Sequence, residues 1–137
     1  MDIQASNAVK VAEFLSKHPL VEKVYYPGNL TESDGEQYNI KIRQCITNGG
    51  MISFDVKGSE SEAFKFLNAL KLIKLAVSLG STESLAEHPA TMTHSDVDAQ
   101  LRKELHITEK MIRLSIGVEN YEDIIWDINQ ALDSIGN

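Results

Sequence analysis

Apolar residues recur along this chain with two periods, about 3.6 and 2, and the switches between them mark out the elements. Over residues 3–17, Ala5, Ala8, Val9, Ala12 and Leu15 fall on one helical face, while Lys10, Glu13 and Lys17 fall elsewhere. A helix is predicted there. His18-Pro19 ends it, because the residue before proline is pushed out of the helical region. Val21-Glu22-Lys23-Val24-Tyr25-Tyr26 predicts a strand, closed by Pro27-Gly28. Residues 29–49 carry the weakest pattern. Thr31–Gly35 reads as a loop, and Tyr38–Arg43 fits a short helix or a strand, with helix preferred. Asn48-Gly49-Gly50 is a turn signal. Met51–Val56 then alternates, with Ile52, Phe54 and Val56 on one face, which predicts a half-buried strand.

Ser59 and Glu62 have capping-box spacing, so a helix is predicted over 60–70 with Ala63, Phe66, Leu67 and Leu70 inward. Leu72–Val77 predicts a buried strand. Residues 78–94 follow as a long polar connection, with Gly80 and Pro89 to fix turns. Structureless connections of that length are uncommon in compact domains and are usually functional or disordered. Ser95 with Asp98 resembles an N-cap, and Val97, Leu101 and Leu105 give the next helix an apolar face. Met111–Ile116 alternates again, with Ile112, Leu114 and Ile116 one way and Arg113 and Ser115 the other. Asn120 and Asp123 cap a last helix with the stripe Ile124, Ile125, Ile128, Leu132 and Ile135. Four short strands with helices between them predict an α+β domain: a small mixed or antiparallel sheet with helices packed on one face. The other face, with Ser53, Asp55, Arg113 and Ser115, is polar or turned to another domain.

Composition narrows the classes. A chain of 137 residues suits one domain with one core, residues 1–137. Net charge is -7 with no basic stripe, so nucleic acid is not an expected partner. No apolar run is long enough to span a bilayer, so no membrane partner is expected either. The N-terminal residues lack the charged and apolar regions of a signal peptide. Cys45 is the single cysteine, which excludes an internal disulfide and fits a reducing compartment, most simply the cytoplasm.

Candidate chemistry is sparse. Arg113 offers a planar, always-charged fork that can hold a carboxylate by two parallel hydrogen bonds. On pattern alone, a surface arginine on a solvated sheet face is the commoner case. Ser78 stands where a strand gives way to Gly80, a place that can present a hydroxyl and a backbone N–H to an anion, and equally an ordinary strand end. His88 and His94 lack metal-ligand spacing, so no metal site is expected, and a histidine that fixes a loop is the preferred reading. No G-x-S-x-G pattern supports a nucleophilic serine. Cys45 has no activating neighbour. These residues define one candidate anion site, Ser78 plus Arg113, and no reaction.

Four ordered segments go further. Leu75-Ala76-Val77-Ser78-Leu79-Gly80, Glu83-Ser84-Leu85, His88-Pro89-Ala90-Thr91-Met92-Thr93-His94 and Ile112-Arg113-Leu114-Ser115-Ile116-Gly117-Val118-Glu119 resemble the C-terminal domain of the Cys/Met metabolism family of pyridoxal-phosphate enzymes. The resemblance extends through Gly50–Val56 and Val24–Gly28. It implies the small domain of the aspartate-aminotransferase-like fold (fold type I). It also implies roles: Arg113 clamps the substrate α-carboxylate, Ser78 helps hold the same group, and Thr93 lines the pocket. Holding that carboxylate orients the reacting bond by positioning, while pyridoxal phosphate supplies the electron sink.

The resemblance further implies an amino-acid substrate and C–S bond cleavage or formation, as in methionine γ-lyase, cystathionine γ-lyase and cystathionine γ-synthase. Two positions depart from the family pattern. Residues 31–45 contain no histidine, and Val77 replaces a glutamate usual in cystathionine-handling members, which leans toward methionine γ-lyase. The cofactor-binding lysine belongs to a large N-terminal domain that finds no counterpart here. The chain is therefore expected to be a C-terminal, substrate-carboxylate domain, inactive alone, whose partners are its own pyridoxal-phosphate domain and the other subunits of a homotetrameric parent. Two readings stand behind this one. The first is a stand-alone amino-acid- or anion-binding regulatory domain. The second is a structural domain without ligand, in which Arg113 pairs with an internal acid.

Overall fold

The computed structural model describes residues 2–78, 80–92, 98–105 and 107–135. Its elements are α1 (Asp2–Lys17), β1 (Val21–Tyr25), α2 (Glu36–Gln44), β2 (Met51–Val56), α3 (Glu60–Ala69), β3 (Lys74–Leu75), β4 (Leu85–Glu87), α4 (Pro89–Met92), α5 (Ala99–Glu104), β5 (Met111–Ser115) and α6 (Tyr121–Ile135). Single 3₁₀ turns cover Pro27–Asn29 and Glu32–Asp34. The five strands form one sheet in the order β1-β2-β5-β4-β3. Neighbours are antiparallel except β3 and β4, which are parallel.

Alternation sets the two faces of this sheet. Ile52, Phe54 and Val56 of β2 and Ile112 and Leu114 of β5 are fully buried on one side. They pack in one cluster with Ala8, Val11, Ala12 and Leu15 of α1, Ala63, Phe66 and Leu67 of α3, and Ile124, Ile128, Ala131 and Leu132 of α6. Phe54 and Phe66 meet edge to face, with centroids 5.5 Å apart. Each fully buried side chain of this size contributes about 1.5–3 kcal/mol relative to exposure, so the helix-covered face is where stability concentrates. At the start of α3, the Glu62 carboxylate accepts from the Ser59 N–H at 2.7 Å, the reach-back of a capping box.

The α+β class and the one-sided helix layer agree with the sequence reading. Helix is also what 36–44 adopts. Three expectations change. In α1, Val9 is exposed and Val11 takes the inward place, because 8, 11, 12 and 15 follow the i, i+3, i+4, i+7 stripe and 9 does not. The buried strand expected over 72–77 shrinks to the exposed pair Lys74–Leu75, with Ile73 alone inward. The expected long connection contains β4 and α4, and β4 is fully buried. Two further expectations bear on α5. Leu101 and Leu105 are exposed rather than covered. Of the expected N-cap there, Ser95 lies outside the described residues, as does Val97.

A knot of hydrogen bonds anchors the turn before β4. The Ser84 N–H and hydroxyl both donate to the Glu119 carboxylate, at 2.8 and 2.9 Å. The Gly117 N–H donates to Ser84 Oγ at 2.9 Å, and Asn7 Nδ2 donates to the carbonyls of Gly117 and Glu119 at 3.0 and 2.8 Å. A Cβ on Gly117 would collide with the backbone of Thr82 and Glu83, so only glycine permits this approach.

Candidate functional site

The open face of the sheet carries a row of functional groups. Strand pairing sets Tyr25 opposite Ser53, Ser53 opposite Arg113, and Arg113 opposite Glu87. Cross-strand partners on one face stand within side-chain reach of each other. Four strands thus bring hydroxyl, hydroxyl, guanidinium and carboxylate to one level, with Arg113 on the central strand β5.

Arg113 opens into a pocket of about 430 Å³, lined also by Tyr25, Ser53, Pro89, Leu105, Ile107 and Met111. Among the described residues, it is the one charged member of that lining. Its side chain is 24% exposed, and through Nη2 it forms an ion pair with Glu87. Burial lowers the Arg113 pKa from its usual value, the signature of lost hydration, although a guanidinium stays charged in proteins. Glu87 is 2% exposed, and neither of its carboxylate oxygens makes a hydrogen bond. On the other flank, the Tyr25 hydroxyl donates to Asp55 at 3.1 Å and the Thr108 hydroxyl donates to the same carboxylate at 2.9 Å. Asp55 is buried and fully engaged.

The other residues singled out in the sequence fall as follows. Ser78 is exposed beyond β3 and does not line the Arg113 pocket. Two residues on, the Gly80 N–H donates to Ser115 Oγ at 2.9 Å, which ties that segment to β5. Thr93 and His94 lie outside the described residues. His88 is fully buried. Its Nε2 lies 2.5 Å from the Glu109 carbonyl, its Nδ1 2.8 Å from Thr91 Oγ1, and its ring 4.8 Å from that of Phe64. A carbonyl only accepts, so Nε2 carries a proton. Among the described residues, no three His, Cys, Asp or Glu side chains gather as metal ligands would. Sequence reading gave neither Glu87 nor Tyr25 a place beside Arg113. The Leu85-Ala86-Glu87 triplet is too short to show a period, and Tyr25 is legible only as a strand residue. Thr108 left no signal.

The model of the Cys/Met metabolism PLP-dependent enzyme family matches residues 1–133. The chain belongs to this family. An L-methionine gamma-lyase of Fusobacterium nucleatum subsp. polymorphum is 49% identical over 135 residues, covering 98% of this chain and 33% of that protein. The cystathionine gamma-lyase of Sus scrofa is 49% identical over 132 residues, covering 96% and 32%. Among solved structures, cystathionine gamma-lyase from Lactobacillus plantarum complexed with L-serine superimposes with a TM-score of 0.90 at 38% identity, covering 99% of this chain and 35% of that one. A putative O-acetylhomoserine (thiol)-lyase from Campylobacter jejuni, which carries N'-pyridoxyl-lysine-5'-monophosphate, gives a TM-score of 0.88 at 34% identity, covering 96% and 31%. The chain thus spans about a third of the relatives it matches.

Family members of this kind depend on pyridoxal phosphate. The site described here does not fit that group. Among the described residues, its pocket has no lysine in the lining. Lys17, Lys74 and Lys110 pair with Glu13, Glu83 and Glu22 at the surface. What the pocket does offer is one guanidinium with hydroxyls beside it and an apolar rim, the chemistry of a carboxylate receptor.

Proposed function

We propose that this chain is the substrate-carboxylate domain of a pyridoxal-phosphate enzyme that cleaves or forms C–S bonds in sulfur amino acids, and that Arg113 receives the substrate α-carboxylate. The observation that carries the proposal is the position of Arg113, the one charge among the described residues that line an open pocket at the centre of the sheet. A charge-assisted fork in a partly desolvated site binds a planar carboxylate in one orientation, and that orientation is what the reacting bond needs. The family resemblance alone assigns Ser78 and Thr93 to the same ligand group, and Ser78 stands outside the pocket lining described above.

A preceding large domain supplies the cofactor and its lysine. The length of the relatives, about three times that of this chain, supports that division. Val77, exposed at the end of the β3 segment, favours methionine as substrate over cystathionine. Relatives of both kinds match at 49% identity, so overall likeness does not separate the two. A homotetrameric, cytoplasmic parent completes the reading. The exposed, unpaired Cys45 is consistent with a reducing compartment.

The test is Arg113→Ala in the full-length enzyme. Truncating one side of a buried charge-assisted pair costs about 2–5 kcal/mol, so kcat/KM for amino-acid substrates should fall by roughly 30-fold to several thousandfold. KM should rise and kcat should fall.

The Arg113–Glu87 ion pair also favours a second reading, a structural domain in which the arginine serves an internal acid. On that reading Arg113→Ala lowers the melting temperature and leaves the kinetics of the surviving enzyme unchanged.

A further inference from the structure

Among the described residues, the charges around Arg113 do not add up to a cationic site. Arg113 contributes one positive charge. Glu87, its cross-strand neighbour on β4, contributes one buried negative charge, and Asp55 on β2 contributes another. Lys23 is opposite Asp55 in the strand pairing, but it is exposed, and its ammonium lies over the Tyr25 ring at 4.9 Å. Lys110 is paired with Glu22. The two buried carboxylates differ. Asp55 accepts from Tyr25 and Thr108, whereas neither Glu87 oxygen is hydrogen-bonded. Among the described residues, Arg113 is the only counter-charge of Glu87.

A carboxylate this deeply buried cannot easily give up its one counter-charge. A ligand carboxylate therefore adds to the free part of the guanidinium fork and leaves the Glu87 pair in place. Arg113 has five N–H donors, and Glu87 engages it through Nη2, so donors remain for a ligand. The first ligand carboxylate is held by directed hydrogen bonds. A second would find no further cation among the described lining residues and would meet the field of Glu87, which buried charges exert with little screening.

Resting on the reading that Arg113 receives a ligand carboxylate, we propose that Glu87 determines specificity: it makes the pocket accept ligands with one carboxylate and reject those with two. The ligand class is a monocarboxylate amino acid with an uncharged side chain. The Pro89, Leu105, Ile107 and Met111 walls suit such a side chain.

L-glutamine and L-glutamate are the probes, because they match in shape and differ by one charge. Dissociation constants for both are measured by calorimetry on the full-length, cofactor-loaded enzyme. Wild type is expected to bind glutamine more tightly than glutamate. In Glu87→Gln the ratio of the two constants should fall by about tenfold, as expected for one charge removed several ångströms away in a medium of intermediate dielectric. Glu87→Asp keeps the charge and should keep most of the ratio. Any misalignment of Arg113 affects both probes and cancels in the ratio. A ratio unchanged in Glu87→Gln overturns the proposal, as does its loss in Glu87→Asp.

A further measurement needs no variant. Raising salt to 0.5 M should leave the wild-type ratio largely intact, because a buried charge is weakly screened. Collapse of the ratio would assign the discrimination to exposed charges and overturn the role of Glu87. Arg113→Ala separates the two levels of the argument. Unchanged affinity for both probes removes the carboxylate site itself. Weakened binding of both, together with an unmoved ratio in Glu87→Gln, removes the filter alone.

Discussion

Tyr25 is the residue whose chemistry the fold changes most measurably. Burial first, then the charge of Asp55, the hydrogen bond to Asp55 and the charge of Glu22 push its pKa from 10.0 up to about 12. The folded state therefore holds the Tyr25 proton more tightly than the unfolded chain does. The stability linked to that proton is fully present below pH 10 and is lost as pH rises through about 12. Phenolate absorbance at 295 nm, taken as the difference between wild type and Tyr25→Phe, should titrate near pH 12 and not near 10. Asp55→Asn should bring that midpoint down, because it removes the charge that is the second cause of the shift. A Tyr25 midpoint near 10 in wild type would mean that the Tyr25–Asp55–Thr108 group is not formed.

At the scale of elements, one carboxylate decides how the chain runs from α3 to β3. Asp127 on α6 is fully buried and accepts the N–H groups of Lys71, Leu72 and Ile73, each at 2.8 Å. Gln130 adds bonds to the Ala69 carbonyl at 2.6 Å and to Asp127 at 2.9 Å. Because Asp127 takes these three N–H groups, residues 71–73 have no donor for a strand ladder. This explains why the strand expected from Leu72 begins only at Lys74. Asp127→Ala would leave three donors unpaired. Each such donor costs about 1–3 kcal/mol when buried, and the three are not additive. A loss on the order of 3–5 kcal/mol is expected in urea unfolding, a large share of an ordinary domain's 5–15 kcal/mol. A loss below 1 kcal/mol would show that water replaces the carboxylate freely.

At the scale of the molecule, the two faces of the sheet have different fates. One is sealed by α1, α3 and α6. The other bears the Arg113 pocket, with α4 and the segment around Thr108 at its side. Because the described residues of the pocket lining include no lysine, the chain alone should take up no stoichiometric cofactor. After incubation with pyridoxal phosphate, borohydride reduction and digestion, no single lysine should be modified specifically. One fully modified lysine would give this chain its own cofactor site and undo the proposed division between two domains.

The sequence by itself determined what local rules control. The capping box at Ser59 and Glu62, the alternation of β2 and β5, and the stripe of α6 follow from periods of 2 and 3.6 long enough to read. The same alternation placed Arg113, Ser53 and Asp55 together on the polar face, and ordered motifs carried the family. Tertiary structure alone decided the rest. β4 is three residues long and becomes a strand only because β5 and β3 lie on either side to pair with it. Glu87 looks like a solvent-facing loop acid until that pairing buries it against Arg113. Asp127 sits on a polar-looking helix position until the backbone of residues 71–73 arrives from more than fifty residues away. The physical reason is common to all three. A buried charge is stable only beside partners that satisfy it, and those partners are set by the packing of distant segments, which no local period records.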